Sequence, residues 1–266
     1  MDNLHRDHLM KSLEEPTHQL IDKAATREKA LRKLVVEVRE QERQRRQKER
    51  ELLERFDMPA IEHNDLGRIK CILNLIDART AIGKGNLVWL GSIGKRYWTL
   101  ALRVAHHEIL AEDLSADWHN TKGAWKAINA CGHWRKAKRP RDGLAIVEEA
   151  LKIATKDSKT HSALLTTGGG ALRDLGRRED AEVFGKSAHL MTPMDFRPCT
   201  LLGAINIELG AYGKGAEWYE KAEKRGASRN LIDRELQSIL KAVAPQEREL
   251  IKKELKVFDK ARYGRL

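Results

Sequence analysis

His106, His107 and Glu108 form a dense cluster of mixed titratable groups, with Glu112 and Asp113 one turn further on. Such groups serve general acid–base chemistry or hold a metal ion. Adjacent residues on a helix, however, point about 100° apart, whereas two histidines that share a metal on one helix sit at i and i+4. His119, Cys131 and His133 also lack zinc-ligand spacing. No nucleophile elbow and no serine–histidine–acid signature occurs. His5 and His8 fall in a terminus expected to fray. These histidines are therefore expected to be satisfied surface groups. The chain is expected to have no catalytic residue, no metal ligand and no cofactor, and not to be an enzyme.

Two glycine clusters near lysines, Gly83-Lys84-Gly85 and Gly91-Ser-Ile-Gly94-Lys95, invite a phosphate-loop reading. The motif would require glycine at Trp89 and serine or threonine at Arg96, so the spacing fails. The adjoining run Leu87-Val88-Trp89-Leu90 instead reads as a short buried connector.

Charge gives the clearest binding candidate. The net charge is +11, and residues 119–160 hold ten basic against four acidic side chains. The peak is Arg135-Lys136-Ala137-Lys138-Arg139-Pro140-Arg141. A run of this kind suits nucleic acid or an acidic protein surface, and a solvated interhelical loop is the plainer alternative. Trp134, next to it, is the tryptophan expected to stack on bases; Trp98 and Trp125 are expected in the core. Residues 1–60 carry 14 basic and 13 acidic side chains, a balance that weighs against that segment as a nucleic-acid binder.

The elements that must position these residues all read as helices. Leu, Ala, Glu, Lys and Arg abound and proline is scarce, and no segment alternates with the period of a strand. Residues 17–56, opened by Pro16, read as one long helix. Leu20, Ile21, Ala24, Leu31, Leu34, Val35 and Val38 supply an apolar face, and 39–51 contain no apolar side chain. The heptad pattern of this coiled-coil-like arm is interrupted, and a helical hairpin or a dimer through it are both open. Helices follow near 65–79, 96–112, 118–137, 142–155, 159–175, 178–191, 197–209, 213–226, 230–242 (capped by Asn230) and 246–259. Apolar stretches are far shorter than the 18 or so residues of a membrane span. The first residues lack a secretory signal's apolar core, and three scattered cysteines read as reduced thiols. A cytoplasmic protein without membrane contact is expected.

Leu175-Gly176 and Leu209-Gly210 are 34 residues apart, as are Gly169 and Gly203, and Ala188 and Ala222. In this helix–turn–helix period, Leu202-Gly203, Glu208-Leu-Gly-Ala-Tyr212, Trp218-Tyr219 and the turn 175–182 closed by Pro193 resemble tetratricopeptide (TPR) repeats. The resemblance is clear over 160–226; the family's first-helix tryptophan and tyrosine are replaced by Leu165 and Cys199, and by Leu172 and Asn206. It implies a groove lined by first helices that binds a peptide or helix of another protein. The matching groove positions are Ala163, Thr166, Thr167, Gly170, Arg197, Thr200, Leu201 and Ala204. Only Arg197 suits the family's carboxylate clamp, so that ligand is not expected.

The expectation is therefore an all-α, antiparallel helix-pair solenoid with a long charged N-terminal helix. Its parts are an arm at 1–60, a helical connector at 61–118 and a TPR-like domain with capping helices at 119–266. It would act as a scaffold that binds a partner protein, with nucleic-acid association through 135–141, joined by residues 27–50, as the alternative.

Overall fold

The computed structural model describes residues 3–153 and 157–264, with backbone alone for 3–22 and for 24 and 25. The side chains of His5, His8, Leu20, Ile21 and Ala24, and the end of the helix expected to reach 155, lie outside the described residues. The described residues contain helices and no strand, and consecutive helices pack in pairs as an all-α solenoid. None of them is long and apolar enough to cross a membrane. The chain divides into two compact units, Met1–Leu73 and Asn74–Leu266.

The first unit is dominated by α1, Asn3–Arg55. It begins well before Pro16 and passes through it, so that proline does not open the helix. Proline removes one backbone donor, but the long run of good helix formers around it continues. Leu52 and Phe56 near its end are buried, as are Ile69, Ile72 and Leu73 of α2, Leu66–Asp77. Lys70 reaches Glu49 at 2.9 Å. Leu31, Leu34, Val35 and Val38 are exposed.

In the second unit the expected connector is itself helical: α3, Lys84–Gly91, followed by a 3-10 turn, Lys95–Tyr97. Trp89 stacks on Tyr97, and a Cβ on Gly94 would stand 2.6 Å from the Trp89 ring. That glycine makes room for an indole. Next comes α4, Leu100–Thr121, capped by the Thr99 hydroxyl. Its 22 residues run through the break expected after 112, so Trp118 closes this helix instead of opening the next. Trp118 is 1% exposed.

The remaining helices are α5 (Ala124–Lys136), α6 (Pro140–Lys152), α7 (Ser158–Asp174), α8 (Arg178–Met191), α9 (Phe196–Glu208), α10 (Tyr212–Lys224), α11 (Arg229–Ala242), α12 (Pro245–Phe258) and the short α13 (Lys260–Tyr263). Their bounds fall within three residues of those expected, apart from the late start of α5 and apart from α13, which was not expected. Local chemistry sets them. Pro140 and Pro245 occupy first turns, where a missing N–H costs nothing. Asp157, Asp195 and Ser228 accept from first-turn amides; Ser228, not Asn230, caps α11. Gly176 and Gly210 sit at φ +77° and +78° and end α7 and α9. In each turn the next residue's N–H returns to a carbonyl five positions back, Arg177 to Leu172 and Ala211 to Asn206.

The helices α5, α7, α9 and α11 lie side by side in succession, and α7 and α9 pack most closely on α8 and α10. Small residues permit this. A Cβ on Gly169 would meet Leu201, and one on Gly203 would meet the Tyr219 ring. One core joins α4 to α9 through Trp118, Ile128, Val147, Leu164, Leu172 and Ile205. A second joins α9 to α13 through Tyr219, Ile232, Leu236 and Leu255.

Candidate functional site

The inner helices border one groove enclosing about 600 Å³ of open space. Arg135 comes from α5, Thr166, Gly170 and Arg173 from α7, Arg197, Thr200 and Leu201 from α9, Tyr219 from α10, and Leu231, Ile232 and Glu235 from α11. Five of the eight positions that the 34-residue period assigns to the groove are among these. Extending the period once more carries Arg197 to Leu231 and Leu201 to Glu235, so these two were also legible. Arg173 follows Gly170 by three positions on the same helix face. Tyr219 was read only as part of the Trp218-Tyr219 pair that resembles the family's second helix.

The groove floor is a charged network. The Arg173 guanidinium, 14% exposed, donates to Glu208 at 2.7 and 2.9 Å and also to Glu235. Arg178 reaches the other Glu208 oxygen at 3.4 Å. These contacts tie α7, α9 and α11 to one another. Arg135 donates to Asp174 at 2.6 Å and crosses Gly170, where a Cβ would run into its guanidinium. The three-glycine run thus serves close packing: Gly168 faces Val147 and Phe184, and Gly169 faces Leu201. Arg197 remains exposed beside Asp195. The Thr166 and Thr200 hydroxyls donate to carbonyls of their own helices, leaving acceptor capacity. The Tyr219 hydroxyl is buried and has no hydrogen-bond partner among the described residues.

The basic run 135–141 is not a loop. Arg135 and Lys136 end α5, and Arg141 lies in the first turn of α6. Only 137–139 form the connection, with Lys138 left-handed at φ +62°. The structure distributes the seven expected binding residues over three places. Arg135 and Arg197 both line the groove. Arg139 donates to Glu108 and Asp142 and lies 4.4 Å over the Trp134 ring. Trp134 is 7% exposed and donates to the Ser115 hydroxyl, so it is a core residue and not a stacking platform. Lys136, Lys138 and Arg141 are exposed and make no ion pair among the described residues. The other tryptophan expectations change too. Trp125 is 50% exposed, and Trp98 is partly buried.

His106 is no surface group. It is 2% exposed, and its Nδ1 accepts from the Ile82 amide at 3.2 Å. The Nδ1 atoms of His107 and His133 are 3.1 Å apart. Burial, followed by the positive charge of His133, pulls His106 down to about 4. Burial, Lys136, His133, His106 and Arg103 pull His107 down to about 4 as well, and burial with Lys136 lowers His133. Glu108 is held by Arg139 and Arg79, and Glu112 by Arg79, so neither carboxylate is free to assist His107. Among the described residues no three His, Cys, Asp or Glu side chains are placed to hold a metal ion.

Because the folded values lie below 6.5, the unfolded chain takes up these protons first. The stability linked to the neutral rings is complete above pH 6.5 and is lost as the pH falls toward 4. A loss of roughly 2–3 kcal/mol for each of His106 and His107 is expected over that window. Urea unfolding at pH 7 and pH 4.5, in the native chain and in His106→Gln/His133→Gln, measures it. An identical pH dependence in both proteins would refute the assignment.

The fold and groove define an α-helical solenoid with a charged and partly apolar inner face. No protein-family model matches the chain, and none of the curated proteins matches it either.

Proposed function

We propose that the protein is a TPR-like interaction module that holds a segment of a partner protein in the groove bordered by α5, α7, α9 and α11. The observation that carries this reading is the composition of the groove. Leu231, with the small exposed part of Leu201, offers apolar contact, while Arg135, Arg197, Thr166 and Thr200 can meet the backbone and polar side chains of a bound chain. The Arg173 network fixes three of the four walls before any ligand arrives, which lowers the ordering cost of binding. In this reading the protein is a scaffold without catalysis or cofactor. The exposed Leu31, Leu34, Val35 and Val38 of α1 are a second contact surface, for a partner or for a second copy of the arm.

The test places a photo-crosslinking amino acid at Thr200 inside the groove or at Glu217 on α10, which does not border it. In native extract a discrete protein adduct is expected from Thr200 and not from Glu217, and it should disappear when Arg197→Glu is added. Equal adducts from both positions, or an adduct indifferent to Arg197→Glu, would refute groove binding.

A further inference from the structure

The charge balance of the N-terminal helix hides a segregation. Arg39, Arg43, Arg46 and Arg50 lie at i, i+4, i+7 and i+11, so all four share one face of α1. Their side chains border a single shallow surface groove together with Glu42 and Gln47. The row extends about 16 Å along the helix axis, with an arginine every 5–6 Å. All four arginines are exposed.

The nearby carboxylates do not neutralise the row. Gln44 donates to Glu40 at 3.2 Å, Gln47 donates to Glu51 at 2.9 Å, and Lys70 pairs with Glu49 at 2.9 Å. Glu42 alone reaches a member of the row, Arg46, at 3.7 Å, and an exposed pair of that length contributes little. Among the described residues, the side chains of Arg39, Arg43 and Arg50 make no ion pair or hydrogen bond.

From this arrangement we infer that the Arg39–Arg50 face of α1 binds the phosphodiester backbone of a nucleic-acid duplex. Four guanidinium forks at regular spacing, each able to hold two phosphate oxygens, match a regularly charged polyanion. Residues 39–51 contain no apolar side chain, so this stretch cannot embed in a lipid interface as an amphipathic helix does. They contain no aromatic side chain either, so the base stacking that holds single strands is missing. The contacts reach phosphates and carry no sequence information. This site lies on the first unit and does not depend on the groove of the second.

The experiment measures fluorescence anisotropy of the full chain with a labelled 20-base-pair DNA duplex, the same sequence as an RNA duplex, and a single strand, at several salt concentrations. Binding of a duplex with Kd below about 10 µM at low salt is expected. In Arg39→Gln/Arg43→Gln/Arg46→Gln/Arg50→Gln it should weaken at least tenfold, and the log–log salt slope should fall by about 3–4. The matching four-lysine variant keeps the charge and should keep the native salt slope, with an affinity between those of the native chain and the glutamine variant. Glutamine keeps helix propensity near that of arginine, and far-UV circular dichroism checks this. Should the helix melt, Arg43→Gln/Arg50→Gln takes its place, with a slope change of about 2. Binding of DNA, RNA or both supports the inference and tells the sources apart. It is overturned if neither duplex binds, if the glutamine variant binds as well as the native chain, or if the single strand or anionic vesicles of phosphatidylcholine and phosphatidylserine are preferred.

Discussion

Arg173→Ala is expected to lower the unfolding free energy by about 3 kcal/mol, toward the lower end of the range for breaking a buried ion pair. The guanidinium is 14% exposed and Glu208 16%, so removing the arginine leaves a carboxylate with little solvent and only the longer Arg178 contact. Glu235 is 38% exposed and recovers part of its hydration, which keeps the figure from rising further. Much of the loss comes from the abandoned charges, not from the value of the pair itself. Arg173→Met/Glu208→Gln/Glu235→Gln, which removes both signs together, should therefore recover most of the stability. Urea unfolding followed by circular dichroism measures both variants. A triple variant no more stable than Arg173→Ala would show that the network matters through its geometry and not through charge compensation.

Trp118→Ala is expected to cost about 3–5 kcal/mol, the usual range for emptying a large aromatic site. The indole is 1% exposed and belongs to the core with Ala111, Ala127, Ile128 and Cys131. That core joins α4 to α5, so the cavity would loosen the helix on which the solenoid starts. Its Nε1 has no hydrogen-bond partner among the described residues. Trp118→Phe removes that buried donor along with part of the ring, and should therefore cost much less than the alanine change. Thermal and urea unfolding of the two variants provide the comparison. Equal losses would mean that the indole N–H finds a partner, such as a buried water, that the phenyl ring cannot replace.

Where helix ends carry their own chemistry, the sequence shows them. From Pro140 onward, prolines in first turns, Asp or Ser caps, and glycines at 176 and 210 mark nearly every boundary. Between 83 and 121 such marks mislead. Gly91 and Gly94 look like breaks or a ligand loop, yet Gly94 serves the Trp89 ring. Acidic residues from Asp113 to Asp117 look like a connection, yet α4 continues through them with its polar side chains outward. The groove was partly legible because a 34-residue period carries one position into the next repeat. The basic run was misread for a related reason. Neighbours in sequence point in different directions on a helix, so Arg135, Lys136 and Arg139 reach three different surroundings. The arginine row on α1 was hidden in the opposite way, since its members are three or four residues apart and a net charge sums over all faces.

The 3.1 Å approach of the His107 and His133 Nδ1 atoms has one more consequence. A hydrogen bond there needs a proton on one nitrogen and a lone pair on the other. With both rings neutral, one must be the Nδ1–H tautomer and the other the Nε2–H tautomer. The two imidazoles are therefore not independent: exchanging the tautomer of one requires exchanging that of its neighbour. Helices α4 and α5 are thus joined by one hydrogen bond that can run in either direction, and reversing it moves protons on both rings.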